Sequence, residues 1–385
     1  MLQAPGPRPG LRGEVLGRDA LPTLLPAWKD LCGRSVEDNV YYSPRYARAL
    51  LDSVERCRNV RFAAVWDGAG LVALLPFTRM KLALPGLRPA ARAWQSKYTF
   101  SCTPLLDRHG AAEAAASLLE VLASVSNAEW IVPFVNTEGE ACRALTAGLA
   151  QRGLPWAFLG RFQRAALEPG CSFDEHMKRH LSAKRRKELA RQRRRLEELG
   201  KVVHEIHRFG EGLDRAISAF LDIEASGWKG ERGTALACDE LSRKFAVDAF
   251  TGSQADSICR ADVLSLDRKP IAVSLAVFAG RTGFTVKCCY DEAYRNYGVG
   301  LLLETEVIRS FLSEAWASRL DSATTEAHVI DGFWPGRIDV ADLIFSLSPR
   351  RPELYLSAFR ASEQLRRSAK ASIKRLVESI RAASD

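Results

Sequence analysis

Residues 294–307 read YRNYGVGLLLETEV, and two glycines one residue apart stand directly ahead of a strongly apolar segment. A glycine inside an ordinary helix costs about 1 kcal/mol relative to alanine. The pair therefore marks a tight turn, or a place where another group comes close to the backbone. At 100° per residue, Leu301, Thr305, Ile308, Phe311, Leu312 and Ala315 share one face of a helix. The start of that helix would carry free backbone N–H groups and the positive end of a dipole, with no β-carbon to hold an anion away. Arg295 and Asn296 add a cation and a donor, and Tyr297, Gly298, Val299 and Gly300 complete the turn. The chemistry on offer is a seat for a pyrophosphate. A glycine turn feeding a packed helix accounts for the two glycines equally well. The third glycine of a dinucleotide fingerprint and the lysine of a P-loop are missing, so dinucleotide binding and nucleoside triphosphate hydrolysis fit poorly.

Groups able to move a proton lie nearby in sequence. Asp291, in CCYDEAY, ends the strand leading to the glycines, and His328 lies in the polar loop TTEAHVIDGFW. Either suits a general base for transfer of an acyl group from a thioester to an amine or hydroxyl, histidine being a common proton acceptor in such chemistry. Asp291 is equally a strand-end turn residue, and His328 equally a surface residue. Glu304 falls between Phe311 and Ala315 on the core face of the helix, where a carboxylate must be paired or protonated. A structural ion pair with Lys287 or Arg309 is the expectation. The loop ASGWKGERGTAL sets Trp228 beside Lys229, Glu231 and Arg232, a mixture suited to an acceptor pocket with the indole as platform. A helix C-cap at Gly227 followed by a turn explains the same residues. Trp334 and Arg337, in DGFWPGR, are weaker candidates of the same type.

The six residues from Arg295 to Gly300, following the strand GFTVKCCY, resemble the acetyl-CoA loop of GNAT acyltransferases, Gln/Arg-x-x-Gly-x-Gly/Ala at a strand-to-helix turn. Four segments widen the likeness: LSAKRRKELARQRRRLEELGKV, FLDIEASGWKGERGTALA, VKCCYDEAYRNYGVGLLLE and RLDSATTEAHVIDGFW. In order and spacing, over about residues 20–350, they resemble the CelD/BcsL-type GNAT family, often described as cellulose-biosynthesis acyltransferases. Many relatives carry Ser-Pro-Gly where this chain has Asn296-Tyr297-Gly298. The resemblance, with the family's relation to Fem-type peptidyltransferases, implies an α/β fold of two tandem GNAT-like domains with mixed, partly antiparallel sheets. It implies acetyl-CoA or another acyl-CoA held in the second domain by residues 295–300, with strand backbone supplying a donor to the developing oxyanion. The implied activity is acyl-CoA-dependent N- or O-acyl transfer to a small-molecule, glycan or peptide acceptor related to the envelope or a polysaccharide. Fem-type relatives use aminoacyl-tRNA as donor, which gives a second reading. A non-catalytic basic protein binding nucleic acid or an anionic surface is a third.

Charge bears on that choice. The chain carries a net +9 with a pI near 9.2, which favours anionic partners. From Lys178 to Arg195 there are ten Lys/Arg and one acid, Glu188, while Leu181, Leu189, Leu196 and Leu199 form a narrow stripe. This is either a solvated helix docked by one leucine seam or a surface for tRNA, an acidic polysaccharide or the inner leaflet of a membrane. No aromatics interleave with the cations, which argues against base stacking.

The elements that must position these residues follow from length and pattern. For 385 residues two domains is the natural expectation. We divide them into a disordered Pro/Gly-rich arm over 1–18, a first domain over 19–165, a second over 166–360 and a basic C-terminal helix over 361–385. Helices are expected over 20–57, then a strand pair around the turn GAG, a helix at EAAASLLEVLASVSN, the strand AEWIVPFVN and a helix at GEACRALTAGLAQRG. The second half reads as a basic helix over 176–199, the strand GKVVHEIHRF, helices at GLDRAISAFLDIEASGW and 239–253, and three strands joined by short turns. After the glycine-led helix come the short strand SRLDSAT, the loop DGFWPGRI and the late strand LYLSAF. Nine scattered cysteines form no CxxC pair and no HExxH is present, so neither a disulfide framework nor a metal site is expected. No run approaches the roughly 18 apolar residues that span a bilayer, and the N-terminus lacks the apolar core of a secretory signal. A cytoplasmic location is the expectation, and no segment marks a dimer interface.

Overall fold

A computed structural model describes residues 10–80, 91–126, 129–325, 328–348, 356–366, 368–369 and 372. In the first half lie β1 (Leu11–Leu16), α1 (Leu21–Arg34), α2 (Pro44–Leu51), β2 (Arg61–Asp67), β3 (Gly70–Arg79), β4 (Ala91–Ala93), β5 (Leu105–Leu106), α3 (Ala111–Val125), β6 (Glu129–Asn136) and α4 (Glu140–Gln151). The second half begins with β7 (Trp156–Leu167), α5 (Phe173–His180), α6 (Ala183–Glu197), β8 (Val202–His207), α7 (Gly210–Ser226), α8 (Trp228–Glu231) and α9 (Glu240–Phe250). It ends with β9 (Cys259–Leu266), β10 (Lys269–Ala279), β11 (Thr282–Tyr290), α10 (Val299–Glu314), β12 (Arg319–Asp321) and β13 (Gly336–Ser346).

The strands form one 13-stranded mixed sheet in the order β1-β2-β3-β4-β6-β13-β7-β12-β11-β10-β9-β8, with β5 on β3. Most neighbours are antiparallel, while β4 with β6 and β11 with β12 are parallel. This is the mixed, partly antiparallel α/β architecture expected from the sequence. The halves share a sheet because β13, from near the end of the chain, is inserted between β6 and β7 and pairs antiparallel with both. A boundary at residue 165 falls inside β7, so the two-domain division does not separate two sheets.

Three further expectations are corrected. Residues 11–16, assigned to a disordered arm, pair antiparallel with β2 from Leu11↔Asp67 to Leu16↔Phe62, a strand register that Pro and Gly on either side obscure. The basic helix is two helices broken at Leu181 and Ser182, because Ser182 turns extended and its hydroxyl caps α6 by accepting from the Arg185 N–H at 3.2 Å. Residues 356–360, read as a late strand in LYLSAF, are helical. Among the described residues the last strand is β13, whose Asp339 and Asp342 interrupt the apolar run that would have marked it. Much of the basic segment over 361–385 lies outside the described residues.

Two cores sandwich the second half of the sheet. On one face α7 packs Leu213, Ile217 and Phe220 against Val263, Val273 and Leu275. The other core joins Val299, Leu303 and Phe311 of α10 to Leu264, Ala272 and Leu320, with Leu189 and Leu196 of α6 in the same cluster. Leu199, expected in the leucine stripe, is exposed. The sheet is thereby fixed on both faces around the strand that feeds the two glycines.

Candidate functional site

The site begins where two strands part. β11 and β12 run parallel for three registers, Thr282↔Arg319 to Phe284↔Asp321, and then diverge, while β10 follows β11 on to Tyr290. The outer edge of β11 beyond Phe284 faces a cleft of about 570 Å³, walled on one side by Ser322–Thr324 and closed at one end by the start of α10. Ala323 turns away at φ 51°, its N–H held by Asp321 Oδ1 at 2.7 Å. A non-glycine residue at positive φ stores strain and is maintained only by its surroundings. Cys288 offers its carbonyl on the open edge, where Lys229 Nζ donates to it at 3.2 Å. N–H and C=O of one strand residue point the same way, so the Cys288 N–H faces the cleft too.

At the head of α10 the two glycines have different reasons. Gly298 is the N-cap at φ 62°, ψ 33°, and a β-carbon there would lie 2.5 Å from Gln192 Oε1 of α6. Its own N–H is bonded to the Arg295 carbonyl at 3.1 Å, so it is not a donor to a ligand. Intrahelical bonding starts with Leu301 and Leu302, both donating to Gly298 O, which leaves the Val299 and Gly300 N–H groups ahead of the ladder. Gly300 has ordinary φ; its missing β-carbon would sit 3.2 Å from the Tyr290 ring. Arg295 lines the cleft beside them. Asn296 and Tyr297 are not in the cleft wall: Asn296 is exposed, and the Tyr297 ring lies under the Arg195 guanidinium at 5.2 Å.

Glu304 departs from expectation. Lys287 is taken by Glu224 at 2.7 Å, and Arg309 by Glu306 at 3.3 Å. Glu304 has neither as partner: its Oε1 accepts the Trp334 indole N–H at 2.8 Å, and the residue lines the cleft. Burial pushes its carboxyl up to about 8, opposed by the Trp334 bond and reinforced by the charge of Asp262. A carboxyl that exchanges its proton near neutrality, facing a cleft, is suited to acid–base work. The helix face also differs from the wheel: Val299, Leu303, Val307 and Phe311 are buried, while Leu301, Glu304 and Thr305 are half-buried.

Trp334 is fully buried, so it is no platform for an acceptor; it fixes Glu304 instead. Trp334→Phe keeps most of the packing and removes the one bond that lowers the Glu304 pKa. We expect that pKa to rise by up to about one unit, checked by carboxyl titration of the variant. Trp228 is 47% exposed, with Arg232 and Lys229 over its ring at 5.1 and 5.8 Å. Lys229 and Lys287 both reach the cleft and share the buried carboxylate of Glu224. Burial first, and then Lys229, lower the Lys287 pKa against the pull of Glu224.

Of the two expected bases, the structure brings one to the cleft. His328 lies on its rim, its Nδ1 accepting from the Ile330 N–H at 3.3 Å. Asp291 does not line the cleft; Oδ1 caps the next turn through the Ala293 N–H at 3.0 Å, and Oδ2 pairs with Lys269 at 3.1 Å. That is the strand-end turn its sequence also allowed.

The cations of α5 and α6 are partly committed. Arg186 donates to the carbonyls of Met177, Lys178 and Leu181. Arg191 pairs with Glu188, and Arg193 with Glu197 and Glu306. Arg185 and Arg195 lie over the rings of Phe333 and Tyr297, which leaves Lys178 and Arg179 of α5 and Lys184, Lys187 and Arg194 of α6 exposed. Among the described residues, no helix is long and apolar enough to cross a membrane.

Comparison with known proteins agrees with this geometry. Residues 183–325, which include β11, the glycine turn and the cleft wall to Thr324, match the family model described as an acetyltransferase (GNAT) domain. No curated protein matches the sequence. Among solved structures, FemX is 11% identical over 83% of this chain and 95% of its own, with a TM-score of 0.54. The C-terminal domain of a protein named as a lysylphosphatidylglycerol synthetase from Agrobacterium fabrum is 12% identical over 89% and 96%, TM-score 0.52. A conserved protein of unknown function from Bacteroides thetaiotaomicron is 12% identical over 86% and 100%, TM-score 0.54. Identities this low speak for a shared fold. Residues 183–325 are thus similar to a GNAT acetyltransferase domain, within a fold the chain shares along most of its length with FemX.

Proposed function

We propose that this protein is an acyl-CoA-dependent N- or O-acyltransferase, with the donor in the cleft between β11 and β12 and an envelope- or polysaccharide-related acceptor. The observation that carries the reading is the open edge of β11 running into a helix start with two unbonded N–H groups and a cleft-facing arginine. The pyrophosphate would rest on the Val299 and Gly300 N–H groups, with Arg295 as counter-charge. Acyl-CoA supplies an activated thioester. The residues of this chain supply the rest: N–H groups on the edge of β11, that of Cys288 among them, polarise the acyl carbonyl. Glu304, ionised, takes the proton of the attacking amine or hydroxyl and is held in place by Trp334. His328 on the rim is a second proton acceptor. The acceptor would enter past Lys229 on the cleft wall, with Trp228 beside that lysine and outside the wall. The acceptor class follows from the likeness to the CelD/BcsL-type family.

The test is release of free CoA thiol from acetyl-CoA and longer acyl-CoAs, offered with hydroxylated and amino-sugar acceptors. Acceptor-dependent release is expected. The basic surface of α6 and the FemX likeness favour one other donor, an aminoacyl-tRNA. That reading predicts no thiol release, and binding of charged tRNA with a steep salt slope.

A further inference from the structure

The donor cleft can be approached from both faces of the sheet. The glycine turn reaches it from the face that carries α10, where Gly300 lies against the Tyr290 ring. Lys287 of β11 sits opposite Leu275 in register and, like it, faces α7. Its ammonium is 2.7 Å from Oε1 of Glu224, a residue of α7, and Lys229 of α8 reaches the same oxygen at 3.4 Å. Both lysines line the cleft. Because β11 and β12 part beyond Phe284, the cleft runs through the sheet. The lysine pair stands on the face away from the start of α10.

Charge on that face does not balance. The Glu224 side chain is fully buried and its carboxylate is filled: Oε1 takes both ammoniums, and Oε2 accepts the Leu236 N–H at 2.8 Å. One negative charge meets two positive ones. Each ammonium has three donors. Lys287 gives one to Glu224, while Lys229 gives one to Glu224 and one to the Cys288 carbonyl at 3.2 Å, with the Trp228 ring 5.8 Å away. Among the described residues no further acceptor meets either, so two donors on Lys287 and one on Lys229 are uncommitted. Both side chains are only 23% exposed. Burial opposes the charge on Lys287 first, and the neighbouring ammonium adds to it against the pull of Glu224. A second anion would relieve both effects.

We infer that Lys229 and Lys287 determine acceptor specificity: the acceptor enters from the α7 face and carries a carboxylate close to its reacting amine or hydroxyl. The surplus is one positive charge, which suits a carboxylate better than the nearly double charge of a phosphate monoester. The closeness follows from Cys288. Lys229 bonds its carbonyl, and the N–H of the same residue is the one assigned to the acyl carbonyl. An amino acid, a hydroxy acid or an amino-sugar acid has this form. This acceptor class rests on the acyltransferase reading and narrows it.

Two CoA thioethers that bind without reacting test the pair: S-(2-carboxyethyl)-CoA and S-propyl-CoA, which differ by a carboxylate in place of a methyl group. In isothermal titration of the full chain the carboxylate should tighten binding by about tenfold or more. Lys229→Met or Lys287→Met leaves Glu224 with one partner and no surplus charge. The ratio of the two affinities within each variant should then fall to about one, and a ratio cancels any general effect on the fold. S-(2-phosphonoethyl)-CoA should gain no more than the carboxylate; a larger gain would name a phosphate and overturn the assignment. With acetyl-CoA as donor, thiol release should be about tenfold faster or more with alanine than with alaninamide, and with muramic acid than with glucosamine. Faster release with the uncharged-tail member of each pair would overturn the proposal. S-propyl-CoA reports the donor cleft by itself. If it does not bind, the acyltransferase reading and this acceptor class fall together. If it binds and the carboxylate adds nothing, or adds as much in the lysine variants, only the acceptor class falls.

Discussion

Glu304→Gln should lower kcat/KM for acyl transfer by about 10²- to 10⁴-fold while leaving acyl-CoA binding intact. Glutamine keeps an oxygen to accept the Trp334 N–H and nearly the same volume, so only proton transfer is lost. The wild-type kcat/KM should rise with pH through about 8 and level off above it, since the base is the ionised form. The same carboxyl makes a stability prediction of definite sign. Its folded pKa, about 8, lies above the ordinary value of 4.5, so the folded state holds the proton more tightly. The stabilisation this gives is full below about pH 4.5 and is lost as pH rises through 8. Urea unfolding of wild type and Glu304→Gln across that window should show the wild type losing ground to the variant. A flat difference would mean that Glu304 titrates normally, and the role assigned to it would fall. His328→Ala provides the contrast: if it, and not Glu304→Gln, removes activity, the base is on the rim.

The second large effect is on folding. Gly298→Ala should cost about 2–4 kcal/mol, the sum of a left-handed backbone for a residue with a β-carbon and the overlap with Gln192. Shortening the obstacle with Gln192→Ser should recover the overlap part and leave the conformational part, which a double-mutant cycle in urea separates. Unchanged stability in Gly298→Ala would mean that the turn is not held as described. Gly298 is thus required by the turn, and Gly300 is the position at which the ligand reading can be tested without dismantling the helix start.

This distinction shows what a sequence can disclose. The strand–glycine–helix order at 282–314 is visible from periodicity and glycine placement, and so are the three antiparallel strands before it. Which glycine answers to fold and which to ligand depends on Gln192, about a hundred residues earlier, and spacing does not reveal such contacts. Glu304 was conspicuous as a carboxylate on an apolar helix, but its partner is an indole from a distant loop, and the nearer cations, Lys287 and Arg309, are engaged elsewhere. β13 was missed because a strand buried on both faces loses its alternation, and here two aspartates also break the apolar run. Its insertion between β6 and β7 joins the two halves into one sheet, a long-range pairing with no local signature.

The central claim is that acyl-CoA binds at the head of α10. The most direct test is thermal unfolding of the wild type and Gly300→Glu with saturating acetyl-CoA. A carboxylate at residue 300 would occupy the phosphate seat with the wrong charge, while its β-carbon needs only a few tenths of an ångström from Tyr290. Saturation at about 100 times Kd adds roughly 2.7 kcal/mol to a folded state that alone binds ligand. The account predicts a rise in Tm of a few degrees for the wild type and none for Gly300→Glu, whose unliganded Tm stays close to wild type. Equal shifts in both proteins, or no shift in the wild type with any acyl-CoA, would contradict it.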